Sequence, residues 1–117
     1  MQSLKAEHVE AARCVIRYLK GSVGEGIVLS AKNNLQLYGF FDSDLGACPL
    51  SQRSLTGYYV SLGGSPISWK TKKQATVSRS STEAEYRAMA AATSELLWIR
   101  SFLTSLGIFL EQTAKLF

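Results

Sequence analysis

Between residues 78 and 107 the apolar positions recur at helical spacing. Glu85, Met89, Ala92, Leu96, Ile99, Leu103 and Leu106 follow one another in steps that alternate between four and three. That spacing puts all seven on one face and predicts a single long amphipathic helix whose stripe turns toward the core. Glu85 is the one acid in the stripe. Glu83 lies roughly 200° round the helix from it and is expected to face water. With Ser80 it forms the S-x-x-E capping box, in which hydroxyl and carboxylate each satisfy an orphan backbone N–H. Glu83 therefore has a structural task at the helix start. A carboxylate on a core-facing stripe is costly without a polar partner or a cation, so Glu85 is the first candidate functional residue.

Upstream, Val9, Ala12, Ile16 and Leu19 give residues 6–19 an apolar helical face, with Gly21 as the stop. His8, the single histidine, is read as a surface residue of the first turn. Three glycines in residues 21–26 mark a loop. Residues 27–30 and 35–42 read as two strands joined by a turn at Lys32, Asn33 and Asn34. In the second, alternation sets Leu35, Leu37, Gly39 and Phe41 on one face and Gln36, Tyr38, Phe40 and Asp42 on the other. Asp44 would share the face of Asp42 if the extended chain continued. Residues 46–53 form a loop. Residues 54–62 and 65–70 then pair as a hairpin about Gly63 and Gly64, leaving Lys70, Lys72, Lys73 and Arg79 in a basic linker before the long helix. The layout is α+β: a short N-terminal helix, antiparallel strands, and one long helix packed across a sheet face.

Composition alters this picture little. A chain of 117 residues, 46% hydrophobic and 19% charged, is one ordinary globular domain rather than a disordered one. Its net charge of +4 is compatible with a nucleic-acid partner. Cys14 and Cys48 are too few for a disulfide framework or a zinc site and read as free thiols. No apolar run reaches the roughly 18 residues of a membrane span. With no secretory signal pattern, the expectation is an intracellular, cytoplasmic chain without a membrane partner.

The chemistry on offer is two acids and a basic cluster. Asp42 at a strand end and Glu85 in the first turns of the covering helix could meet at the sheet edge. Two neighbouring carboxylates repel, and Mg²⁺, which favours carboxylate oxygens, water and phosphates, removes the conflict. Lys70, Lys72, Lys73 and Arg79 could contact phosphates beside such a pair.

These residues also carry a family resemblance. The run ISWKTKKQATVSRSSTEAEYRAMAAATSELLWIRSFLTSLGI resembles the RNase H domain of copia-type LTR-retrotransposon Pol polyproteins of plants. Upstream, GFFDSDLGACPLSQRSLTGYYVSLGG is similar to that family's acidic strand, loop and second strand, and VIRYLKGSVGEGI to its tether from reverse transcriptase. On this resemblance residues 1–26 are the helix and tether from the reverse transcriptase side, and residues 27–117 a partial RNase H-like domain. It implies cleavage of the RNA strand of RNA–DNA hybrids with two Mg²⁺ ions. Asp42 and Glu85 take the positions of catalytic, metal-binding acids, and the reverse transcriptase portion of Pol is the partner in the full-length family.

Two departures bear on activity. Where the family reads Asp-Trp-Ala-Gly this chain has Asp44-Leu45-Gly46-Ala47. EQTAKLF resembles only the start of the fourth strand, before the later acids. The expectation is an incomplete RNase H-like fold with no complete fourth strand, an unpaired edge on the Asp42 strand, weak Mg²⁺ binding, and little or no activity by the isolated chain. The alternative is a fragment that binds nucleic acid without cutting it, or that interacts through its strand edge.

Overall fold

The computed structural model describes residues 5–117. Helix α1 (Ala6–Gly21) comes first, then strands β1 (Leu37–Asp44), β2 (Leu55–Leu62) and β3 (Ser65–Lys73), helix α2 (Ser81–Ser105) and a short strand β4 (Lys115–Leu116). The sheet order is β3-β2-β1-β4. The first three strands are a meander of antiparallel pairs. The connection through α2 then returns the chain parallel to β1, with Tyr38 opposite Lys115 and Gly39 opposite Leu116. Four strands and two helices make an α+β fold with a mixed sheet.

Local chemistry explains the joints. The β2–β3 turn needs two left-handed residues in succession, and Gly63 (φ 56°) and Gly64 (φ 83°) supply them. At the start of α2, Ser80 is extended and its hydroxyl accepts from Glu83 N at 3.2 Å, as the capping box predicts. Glu83 departs a little from the motif. Its carboxylate accepts from Arg79 N at 2.7 Å and from Arg87 Nη2 at 2.7 Å, so it braces the loop before the helix and is only partly exposed.

Helix α2 covers the inner face of β1 and β2. Leu37, Val60, Leu96 and Ile99 form the buried core, with Leu62, Leu103, Leu110 and Leu116 packed against it. Ala84, Ala88 and Ala92 are fully buried where the helix runs closest to the sheet. Gly39 permits that approach, because a Cβ there would stand 2.8 Å from Leu96 Cδ1. Among the described residues no helix lies over the outer face. A row of rings crosses the sheet on that side, from Phe117 just past β4 through Phe40 and Tyr59 to Trp69. The Phe40 ring centroid lies 5.3 Å from that of Phe117 and 6.1 Å from that of Tyr59, and Tyr59 sits opposite Trp69 in the ladder.

Several sequence expectations are corrected. Residues 27–30 form no strand; they are exposed, and the one hydrogen bond from this stretch to the sheet is Ser30 N to Ser65 Oγ at 3.2 Å. The next strand begins at Leu37, because Leu35 turns left-handed (φ 48°) and breaks the extended run. Lys70, Lys72 and Lys73 belong to β3, which runs on to pair Lys73 with Leu55. The stripe of α2 is rotated at its N-terminal end: Ala84 and Ala88 are buried where Glu85 and Met89 were expected, Glu85 is exposed, and Leu106 is exposed at the other end. A short β4 does pair with β1. Phe117 extends the contact, donating to Gly39 O at 2.9 Å and accepting from Phe41 N at 3.1 Å. Every residue of α1 is exposed, including Val9, Ile16 and Leu19. His8 is exposed, and its Nδ1 accepts from Lys5 N at 3.3 Å at the helix start.

Candidate functional site

The two acids stand on either side of Phe41. Asp42 alternates with it on β1 and so shares the outer face of Phe40. There it borders a shallow depression of about 280 Å³ with Phe40, Gly57, Tyr59 and Thr71. Its Oδ1 accepts from the next backbone N–H, Ser43 N, at 2.8 Å. Glu85, one turn into α2, borders a separate hollow of about 250 Å³ with Phe41, Thr82, Tyr86 and Met89. Phe41 touches both depressions. Neither carboxylate forms an ion pair among the described residues.

Both are exposed acids beside apolar walls. No group of three or more His, Cys, Asp or Glu side chains able to hold a metal ion is present among the described residues. A two-ion centre needs carboxylates bridging ions roughly 4 Å apart. Two acids that open onto different hollows do not by themselves fit that requirement. Glu95 adds nothing to them: it is half-buried and accepts from Ser68 Oγ at 2.8 Å. Its charge, after burial itself, helps to raise the Tyr58 phenol above its ordinary range.

The cations, by contrast, converge. A hollow of about 620 Å³ opens between the end of the β2–β3 ladder and α2, lined by Arg53, Lys70, Lys72, Lys73 and Arg87 together with Thr56, Tyr58 and Gln74. Alternation along β3 gives Lys70 and Lys72 a common face. Arg87 is held by Glu83 and also donates to Thr76 Oγ1. Lys73 Nζ lies 3.0 Å from Cys48 Sγ. This ammonium, assisted by hydrogen bonds from Ser51, draws the Cys48 thiol down to about 6. Arg79 stands apart from the lysines. It does not line the hollow, and its backbone N–H serves the Glu83 brace.

Buried Gln74 fixes the floor. Its Nε2 donates to Thr56 Oγ1 and to Ala84 O, both at 3.0 Å, and its Oε1 accepts from Ser78 Oγ at 2.8 Å. One amide thus pins β2, the loop and α2 together. Arg53, Arg87 and Gln74 were not singled out from the sequence. The spacing of Glu83 and Arg87, four apart on a helix, was a legible signal for one of them. Nothing in the pattern marked Arg53 or Gln74.

Comparison with known proteins places the chain. It is 47% identical over 106 residues to the retrovirus-related Pol polyprotein from transposon RE1 of Arabidopsis thaliana, a match that covers 91% of this chain and 7% of the polyprotein. The corresponding polyprotein from transposon RE2 of the same plant is 49% identical over 105 residues, 90% of this chain and 7% of its own length. That from transposon TNT 1-94 of Nicotiana tabacum is 36% identical over 102 residues, 87% of this chain and 8% of the polyprotein. The chain belongs to the retrotransposon Pol family. This Pol segment spans less than a tenth of the length of those curated relatives. No family model and no solved structure matches it. Among the described residues of the Pol segment, no helix is long and apolar enough to cross a membrane.

Proposed function

We propose that this chain is an RNase H-like segment of a retrotransposon Pol polyprotein, which binds RNA–DNA hybrid and has little or no nuclease activity alone. One arrangement carries the reading: an Asp on the central strand β1, a Glu near the start of α2, and that same helix carrying the chain into a strand parallel to β1. The order β3-β2-β1-β4 supports the fold that the sequence resemblance implies, and the Pol relatives support its setting. In this reading Asp42 and Glu85 are the acids that face the scissile strand, and Lys70, Lys72 and Lys73 bind phosphates. Arg79, which does not line the hollow, is not assigned to phosphate. This chain's own part would be to hold substrate against the two acids. Residues 1–26 are the tether from the reverse transcriptase portion, which the full exposure of α1 supports.

Two measurements test it. Fluorescence anisotropy with a labelled RNA–DNA hybrid at low salt should show binding that weakens steeply as salt is added, because phosphate contacts release counterions. No binding at low salt would sink the reading. In a cleavage assay of the same hybrid with Mg²⁺, turnover is expected at or near background. Robust turnover abolished by Glu85→Gln and by Asp42→Asn would instead show a working centre and overturn the inactive part.

A further inference from the structure

Building on the hybrid-binding reading, we propose that the hollow between β3 and α2 seats one sugar–phosphate backbone, with Arg53, Lys70 and Lys72 as its free anion-binding cations.

Three separate parts of the chain bring cations to this hollow: the loop before β2 gives Arg53, β3 gives three lysines, and α2 gives Arg87. Like charges gathered in one concavity repel and raise the local potential for anions. Two of the five already have partners, Arg87 in Glu83 and Lys73 in Cys48. Arg53, Lys70 and Lys72 make no ion pair among the described residues. A phosphate backbone answers that surplus with a row of negative charges, and Lys70 and Lys72 stand two residues apart on one strand face, about 7 Å along it. The outer sheet face offers instead a ring row and the acid of Asp42. Arg79, outside the hollow, is not part of the seat, whereas Arg53, distant from the lysine cluster in sequence, is.

Cys48, held against Lys73, provides a reporter beside the site. Its thiol is drawn down first by Lys73, a wall of the hollow. Lys73 borders the seat, so a backbone phosphate held there by the three free cations competes with Cys48 for its ammonium and returns the thiol toward its ordinary range near 8.5. At pH 7, saturating RNA–DNA hybrid should then slow Cys48 alkylation by iodoacetamide about two- to threefold, the smaller thiolate fraction being offset in large part by its greater nucleophilicity. Cys14 on exposed α1 is the internal control and should keep its rate. In parallel, the triple variant Arg53→Gln, Lys70→Gln, Lys72→Gln should lower the slope of log K against log salt by about 2 to 3. Arg79→Gln should leave it unchanged. If wild type binds hybrid while Cys48 reacts at its free rate and the triple variant keeps its slope, the seat is elsewhere and only this inference falls. If wild type binds no hybrid, the parent reading falls with it.

Discussion

The two helices make an instructive pair. Both read from the sequence as amphipathic, and α1 has its own apolar stripe, with Val9, Ala12, Ile16 and Leu19 spaced as a core face should be. Yet every residue of α1 is exposed, whereas α2 buries Ala84, Ala88, Ala92, Leu96 and Ile99. A stripe specifies a face that could be covered, and says nothing about what covers it. What commits α2 is a complementary sheet: Gly39 and the small alanines let the backbones close up, so that Leu96 reaches Leu37 and Val60. The ends differ as well. α2 begins on a hydroxyl cap and the Glu83–Arg87 brace, while the ion pairs of α1, Arg13 and Arg17 with Glu10 at 3.6 and 3.5 Å, lie in open water and contribute little.

That contrast can be pressed by substitution, with unfolding free energies from urea titration as the measure. Leu96→Ala should have the largest effect, about 2–5 kcal/mol, from lost burial and the cavity left behind. Ala88→Leu should cost about 1–3 kcal/mol by forcing the helix off the sheet. Ser80→Ala should cost roughly 1 kcal/mol through the lost cap. Ile16→Ala, the same kind of truncation on α1, should stay within about 0.5 kcal/mol. A cost for Ile16→Ala approaching that of Leu96→Ala would show that α1 does bury its stripe in solution.

A pH scan sharpens the comparison of the helix starts. Hydrogen bonds from Arg79 N and Arg87, in that order, hold the Glu83 carboxyl below its ordinary value. A depressed acid contributes stability that is complete above its unfolded pKa and is lost as pH falls through its folded one. Acidification below the usual carboxylate range should therefore fray the first turn of α2, seen as a fall in helical circular dichroism. Glu83→Gln should abolish that step.

The parts legible in the sequence were those set by local chemistry. The Ser80 cap, the Gly63–Gly64 hairpin and the alternation of Leu37 to Asp42 each depend on neighbours a few residues apart. The parts missed depend on distant partners. Residues 27–30 are as apolar as a strand needs, but β1 is already paired on one side by β2 and on the other by β4. The stripe of α2 was read one position off at Glu85 because Ala84 and Ala88 fit helical spacing equally well, and only the closeness of the sheet selects the smaller side chains. For the candidate site, the acids and lysines were visible as residue types. The gathering of Arg53 and Arg87 around the lysines required the fold.

Strand β4 is small, yet it joins segments far apart along the polymer: Gln36 Nε2, at the head of β1, reaches Thr113 O across 77 positions at 2.8 Å. Closing so long a loop is entropically demanding, and few bonds reward it. The meander and its helix can assemble from near neighbours, so this edge should be the last piece to lock and the first to open. The backbone amides of Phe41 and Phe117 should accordingly trade their protons for deuterium well before those shared by β1 and β2.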